Sequence, residues 1–382
     1  MHCKFAIRGG GHMWWAGAAN IQDGVTIDLS SLNETRLSSD RKILALGAGT
    51  RWIDAYRVLD PMGLSITGGR VWKVGVWGDL RLVVVLASGE IVNANISSNP
   101  RLFKALKGGG NNFGVITRFD FKTFEQGAIW GGFVISPWNS SVQLNQQLQA
   151  LEKFGNDSER GLDDYSTVEN VYVFGPSGPS QIANILVNTN AVARPPILAD
   201  FTDVKAQTTN TVGMTNISSL ALQTGTGPGI ENGGRYIWAS ATYPNNATTL
   251  AKIVSLCQES FYGHGKPPTY PGFSLHPVNK SQQNTVWMNF AVTSTGADAD
   301  EAIVNATETF LRKAREYCQE QNQYEPFVYS NYALPSQDAV ASYGTENQAF
   351  LRAVAREYDP QEVFQKLVPG GFKLYRRGKT CC

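Results

Sequence analysis

Three glycine clusters close short apolar runs in the first third of the chain, and no other feature restricts the fold as strongly. "RGGGH" (8–12) follows Phe5–Ile7, "GAG" (47–49) ends "KILALGAG", and "KGGGNNFGVIT" (107–117) stands between a helical pattern and a strand pattern. Glycine reaches φ > 0 and lets the backbone approach a ligand with no Cβ in the way. Successive amides in such a turn form an anion-binding nest, so "RGGGH" suits a pyrophosphate. Each cluster taken singly is equally what an ordinary turn looks like. None has the spacing of the dinucleotide fingerprint or of a P-loop. His12, one of four histidines, ends the first cluster. A neutral imidazole is a competent nucleophile near physiological pH. The alternative for His12 is packing against Trp14 and Trp15.

The pattern around the glycines predicts an α+β chain. "GVTIDLS" (24–30) and "KILALGAG" (42–49) read as strands. "TRWIDAYRVLDPMG" (50–63) reads as a helix capped by Thr50 and stopped at Asp60-Pro61. "LRLVVVLASGEIVNAN" reads as a hairpin around Ser88-Gly89. "NPRLFKALKGGG" reads as a helix with Asn99 as N-cap, and "GVITRFDFKTF" as a strand. Beyond about residue 126 longer strands such as Arg235–Tyr243 mix with long helices, one from Ser140 and one spanning Asp298 to about Gln321. "TENQAFLRAVAREYDP" opens with a capping box, Thr345 to Gln348, and ends before Pro360. The boundaries expected are 1–125, 126–325, 326–374 and a tail at 375–382.

A net charge of +1 gives no basic surface for a phosphate backbone, so nucleic acid is excluded as a main partner. No apolar run reaches the roughly 18 residues that span a bilayer, so no membrane partner is expected. Cys3, Cys257, Cys318, Cys381 and Cys382 form no Cys-x-x-Cys, so neither a metal site nor a disulfide framework is signalled. Asn-x-Ser/Thr occurs at Asn33, Asn95, Asn139, Asn156, Asn216, Asn246, Asn279 and Asn305, which hints at a glycoprotein of secretory ancestry. The N-terminus shows no apolar signal region, so the compartment stays unassigned, cytoplasmic only as the chain is written.

Taken in order, "RGGGH" at 8–12, "GAG" at 47–49, "GGR" and "VGV" at 68–70 and 74–76, "GGGNNFGVIT" at 108–117, "YSNYALPSQD" at 329–338 and "YDPQEVFQKLVPGGFKL" at 358–374 resemble the berberine-bridge-enzyme-like oxidases. These belong to the vanillyl-alcohol-oxidase type of FAD-linked oxidases. The resemblance runs from Phe5 to Leu374. It implies a two-part FAD domain of PCMH type and an α+β substrate domain of antiparallel sheet covered by helices. It implies FAD at Arg8, Gly9, Gly10, Gly11, Gly110, Asn112, Phe113, Gly114 and Val115, with a covalent 8α-histidyl bond to His12. Asn331 and Tyr332 are implied near the flavin, and Tyr329 as the candidate base. A tyrosine with its ordinary pKa near 10 is a poor base at neutral pH. Alternation on a half-buried strand would equally account for Tyr329 and Tyr332. The implied reaction dehydrogenates an alcohol, sugar or secondary metabolite and passes electrons to O2, giving hydrogen peroxide, in a monomer.

The chain departs from the family pattern. Val71 stands where many members carry a second, cysteinyl flavin bond, so that link is expected to be absent. A glycine-rich stretch is missing between Val76 and Leu80, the N-terminus is short, and a further gap is expected near Asn279–Trp287. These gaps keep open two other readings: an inactive remnant, or a chain shortened by lost exons, that binds no FAD; or a small-molecule- or carbohydrate-binding protein.

Overall fold

The computed structural model describes residues 3–76, 80–174, 180–225, 235–262, 269–280, 283–294 and 296–375. The expected gap between Val76 and Leu80 falls on 77–79, outside the described residues. Residues 281–282 and the tail 376–382 lie outside them as well.

The chain divides into two compact units. The first comprises Met1–Gly127, Ile217–Gly225 and Pro335–Cys382. Sequence reading assigned 217–225 to the second part and began the return at 326. The short helix Ile217–Thr224 belongs with the first unit because Asp60 Oδ2 accepts from the Ser218 amide at 2.8 Å and Thr224 Oγ1 donates to the Arg70 carbonyl.

In the first unit, β1 (Phe5–Arg8) pairs in parallel with β2 (Val25–Asp28). Five antiparallel strands follow: β3 (Thr35–Leu37), β4 (Ile43–Gly47), β6 (Arg81–Val85), β7 (Ile91–Ala94) and β8 (Val115–Lys122). They lie in the order β3-β4-β8-β6-β7, and β5 (Leu64–Ser65) pairs with β9 (Phe124–Glu125). Alternation decides which side faces in. Leu44 and Leu46 of β4, Leu82 and Val84 of β6, and Phe119 and Phe121 of β8 are buried with Trp52, Leu102, Phe103, Phe113 and Val354. Each such side chain contributes roughly 1.5–3 kcal/mol on burial. The helices are Trp52–Leu59, Pro100–Leu106, Thr345–Tyr358 and Val363–Lys366.

The expected side-chain capping bonds of Thr50, Asn99 and Thr345 are not formed, although Asn99 does stand at the N-cap position. Arg51, not Thr50, precedes the first helix, and the Asp54 carboxylate accepts from its amide at 3.1 Å. Asn99 sits at φ 51 and turns its side chain elsewhere, donating to the Asn93 carbonyl and accepting from the Tyr358 hydroxyl. Gly344, at φ 84, stands at the cap of the helix that begins at Thr345, and no side chain caps it. A tertiary partner takes the Asn99 side chain and a glycine turn stands before Thr345, whereas the first helix simply starts one residue later than Thr50 would cap.

The second unit is Ala128–Asn216 with Thr226–Leu334. Its strands are β10 (Ile129–Trp138), β11 (Ser166–Val173), β12 (Ser180–Asn188), β13 (Thr209–Asn210), β14 (Gly213–Thr215), β15 (Arg235–Pro244), β16 (Thr269–Lys280) and β17 (Gln283–Ser294). They form one antiparallel sheet in the order β13-β10-β12-β11-β16-β17-β15, with β14 also on β10. The long helices Ser141–Glu159, Ala247–Tyr262 and Asp300–Glu320 pack on it. Phe290 of β17 meets Phe261 and Phe310 of two of them, so Val286, Met288, Phe290 and Val292 mark the helix-covered face. The pleat then turns Trp287, Asn289 and Ala291 to the opposite face. Their cross-strand partners Trp238, Ser240 and Thr242 of β15 and Ser274 and His276 of β16 share that face.

Candidate functional site

Two clusters carry chemistry, one in each unit. In the first unit the "RGGGH" loop leaves β1 and lies against "VGV". A Cβ on Gly10 would come within 2.5 Å of the Gly75 amide nitrogen, so two glycines are needed where these backbones cross. Arg51 fastens the crossing, because its Nη1 donates to the Gly10 carbonyl and, at 2.9 Å, to the Lys73 carbonyl. No backbone amide from Gly9 to His12 has an acceptor among the described residues. Gly11 adopts φ 67, the left-handed conformation of a nest.

The third glycine cluster is tied to the C-terminal segment. Asn111 Nδ2 donates to the Gly370 carbonyl at 3.0 Å, and Asn112 Nδ2 to the carbonyls of Gly109 at 2.6 Å and Phe372 at 2.8 Å. Gln365 donates to Asn112 Oδ1, and Lys373 Nζ to Asn111 Oδ1 and the Phe364 carbonyl, both at 3.0 Å. The same segment reaches the stretch after His12: Phe372 meets Trp15 edge-on at 4.7 Å, and Gly370 packs on the Gly17 backbone. "VPGGFKL" thus braces both loops.

His12 is exposed, and Trp15 gives its ring to Phe372 rather than to the imidazole. Partial burial, then the positive charges of Arg51 and Lys73, lower the His12 pKa, which favours the neutral imidazole. Arg8 turns away from any nest. Its guanidinium pairs with Asp28 across the β1–β2 register at 2.6 Å and, with the Ser30 amide, holds that carboxyl down at about 2. Gly110 is left-handed at φ 66, in keeping with a second nest. Asn112 and Phe113 are fully buried and face the protein. A Cβ on Gly114 would meet Val84 at 2.5 Å and the Val85 carbonyl at 2.9 Å, so that glycine serves sheet packing. Val115 opens β8 against Val85.

The first unit has chemistry to hold a flavin dinucleotide: unused loop amides for phosphate oxygens, two cations, and buried polar atoms without partners at Thr50 Oγ1 and at the indole nitrogens of Trp14, Trp15, Trp52 and Trp72. Position 71 is valine. The described cysteines are Cys3, exposed, and the buried Cys257 and Cys318 of the second unit. Among the described residues no cluster of His, Cys, Asp and Glu could hold a metal. Among the described residues no helix is long and apolar enough to cross a membrane.

In the second unit, residues 325–332 run along the sheet face opposite the helices. Thr242 Oγ1 donates to the Phe327 carbonyl at 2.8 Å, and the Tyr329 amide to Ser240 Oγ at 3.3 Å. Tyr329 stacks on Trp287 at 5.0 Å and Tyr332 on Trp238 at 5.3 Å. "YSNY" is a turn, not the expected strand: the Tyr332 amide donates to the Tyr329 carbonyl, which closes the loop. Asn331 Nδ2 donates to the Tyr329 hydroxyl at 2.8 Å. That bond fills an acceptor position of the phenol and leaves its own proton to be donated elsewhere. Asn289 Oδ1 is buried on this face with no partner. Sequence reading missed Arg51, Lys73, Asn111 and Lys373. The last stands inside a quoted motif, but its burial has no one-dimensional signal.

Residues 1–78 match the family model of an FAD binding domain. The chain is 32% identical to the FAD-dependent monooxygenase tpcD of Cochliobolus heterostrophus, over 98% of this chain and 80% of the relative. It is 30% identical to the FAD-dependent monooxygenase sdcF of Emericella nidulans, over 98% and 85%. The first alignment has 428 positions against a chain of 382, so at least 46 positions of the relative face no residue here. Solved structures share the fold. They include 6-hydroxy-D-nicotine oxidase of Arthrobacter nicotinovorans (TM-score 0.76, 18% identity, 95% of this chain and 85% of that one). Physcomitrella patens BBE-like 1 gives 0.74 and 18%, over 98% and 87%. Glucooligosaccharide oxidase of Acremonium strictum, a protein with a 6-S-cysteinyl, 8α-N1-histidyl FAD, gives 0.72 and 17%, over 98% and 87%.

Proposed function

Because the chain belongs to the berberine-bridge-enzyme-like FAD-linked oxidoreductases of the vanillyl-alcohol-oxidase type, we propose that it dehydrogenates a small alcohol, sugar or secondary metabolite and passes the electrons to O2, giving hydrogen peroxide. One observation carries the reading: a loop of unpartnered amides ends in an imidazole whose pKa is lowered by desolvation first and then by the charges of Arg51 and Lys73.

Bound FAD supplies the two-electron acceptor. The amides of Gly9 to His12 would hold the pyrophosphate, and Arg51 keeps their loop shaped. His12, neutral at physiological pH, would be the residue that holds the cofactor covalently, as a histidine does in the Acremonium enzyme. Valine at 71 offers no second bond. The second unit binds substrate, with Trp238, Trp287, Tyr329 and Tyr332 as its aromatic surface. Tyr329 directs its phenolic proton to the substrate. A second reading, oxygen insertion, is favoured by the names of the fungal relatives.

The test begins with the purified protein's visible spectrum and the in-gel fluorescence of acid-precipitated protein. A yellow protein with fluorescence that His12→Ala removes supports the linkage; a colourless one favours the binding-protein or remnant readings. Peroxidase-coupled assays with xylobiose, cellobiose and 4-hydroxybenzyl alcohol then look for peroxide in step with substrate loss. Label from ¹⁸O2 in the product would identify insertion instead.

A further inference from the structure

On the sheet face that carries Tyr329 and Tyr332, a second group of side chains converges that the reading above does not use. His276 of β16 places Nε2 2.8 Å from Ser274 Oγ and 3.3 Å from Glu169 Oε1 of β11. β11 and β16 are hydrogen-bonded neighbours with Val171 opposite Ser274, so the register puts Glu169 level with His276. Trp287 is the cross-strand partner of His276 and stacks on Tyr329. The pair therefore stands one strand away from the aromatic surface.

We propose that His276 is the proton acceptor of the dehydrogenation and that Glu169 is its positioning partner. The assignment rests on the proposed reaction. Three facts support it. Both side chains are 15% exposed, which is buried enough for the carboxylate to act strongly on the ring and open enough for proton exchange. An imidazole accepts protons near neutrality, where an ordinary phenol does not. The Tyr329 hydroxyl, which accepts from Asn331, is set to donate rather than to receive. Among the described residues, Glu169 on the adjacent strand is the titratable group paired with His276, and Tyr329 stands beyond Trp287.

The step balances. The substrate's C–H hydrogen leaves with its electron pair to the FAD. The adjacent O–H or N–H bond breaks, its proton forms an N–H bond on His276, and the electrons left behind complete the C=O or C=N bond. The carboxylate of Glu169 faces the resulting imidazolium. Reoxidation by O2 takes up a proton in forming hydrogen peroxide, and His276 returns its own.

Two experiments test this. The first needs no substrate: imidazole resonances of the holoprotein are followed against pH, with His276→Gln identifying the signal. Glu169→Gln moves the His276 midpoint to lower pH by more than about half a unit, the loss expected when a neighbouring carboxylate is neutralised. An unmoved midpoint overturns the pairing. The second measures the pH profile of flavin reduction by whichever of the three probe substrates the wild type oxidises. His276→Gln lowers kcat about 100-fold or more with KM within about threefold, and Glu169→Gln shifts the acid limb downward. Unchanged kcat in His276→Gln overturns the role. A wild type that oxidises none of the probes counts against the proposed reaction instead, while the first experiment still decides the pair.

Discussion

Lys373 is the buried group whose titration should be visible in the stability of the first unit. Burial lowers its pKa from 10.5 to about 7, and its two hydrogen-bond acceptors, Asn111 Oδ1 and the Phe364 carbonyl, are uncharged. The folded-state value lies below the unfolded one, so between about pH 7 and 10.5 the unfolded chain binds more protons and stability rises with pH. At about 1.4 kcal/mol per unit for a whole proton, and less near pH 7 where the folded amine is half protonated, the rise from pH 7 to 8.5 is about 1.5 kcal/mol. Burial pushes the thiols of Cys257 and Cys318 up, the latter to about 11, and these act in the opposite direction at the upper end. The quantity to measure is therefore a difference. Urea unfolding of wild type and Lys373→Met, followed by tryptophan fluorescence at pH 7, 7.75 and 8.5, should give a wild-type free energy that climbs relative to the variant by that amount. Methionine keeps most of the unbranched side chain, one atom shorter, and removes the titration. At any one pH it also loses two hydrogen bonds, worth about 1 kcal/mol each, so the slope and not the offset carries the test. Parallel curves would refute a lysine that folds neutral.

Attachment of FAD to apoprotein should persist below the ordinary histidine value of about 6.5, because the His12 pKa is lowered; in-gel fluorescence against pH checks this, and a loss already complete at pH 7 would contradict the lowered pKa. Gly114→Val should destabilise the first unit by about 3 kcal/mol or more, because the added side chain enters the space of Val84 and the Val85 carbonyl; a full flavin content with a wild-type melting curve would count against the packing account. Asp359→Ala should cost about 2 kcal/mol, since the buried carboxylate accepts from the Val363 and Phe364 amides at 2.8 Å each; an unchanged urea midpoint would contradict the cap. Tyr329→Phe should raise KM more than it lowers kcat if the phenol orients substrate, whereas a kcat loss as large as that of His276→Gln would make Tyr329 the base.

The strands of the first unit, the hairpin at Ser88-Gly89 and the long helices were legible in the sequence because their signals are local: alternation in "KILALG" and "RLVVV", glycine at the turn, and helical spacing closed by Asp60-Pro61. The glycine clusters and His12 were legible for the same reason. Asn99 holds its expected N-cap position, but its side chain bonds at a distance, to Tyr358 across 259 positions of sequence, while the helices expected to be capped by Thr50 and Thr345 have Arg51 and Gly344 at the N-cap. Only the tertiary structure set Gly114 against Val84 and the Val85 carbonyl, closed "YSNY" into a turn, and braced the two glycine loops with Lys373, Asn111 and the C-terminal segment. The pairing of His276 with Glu169 has the same origin. Their strands are neighbours in the sheet but are separated in the chain by β12 to β15, and sheet order is a property of the whole fold that no local pattern encodes.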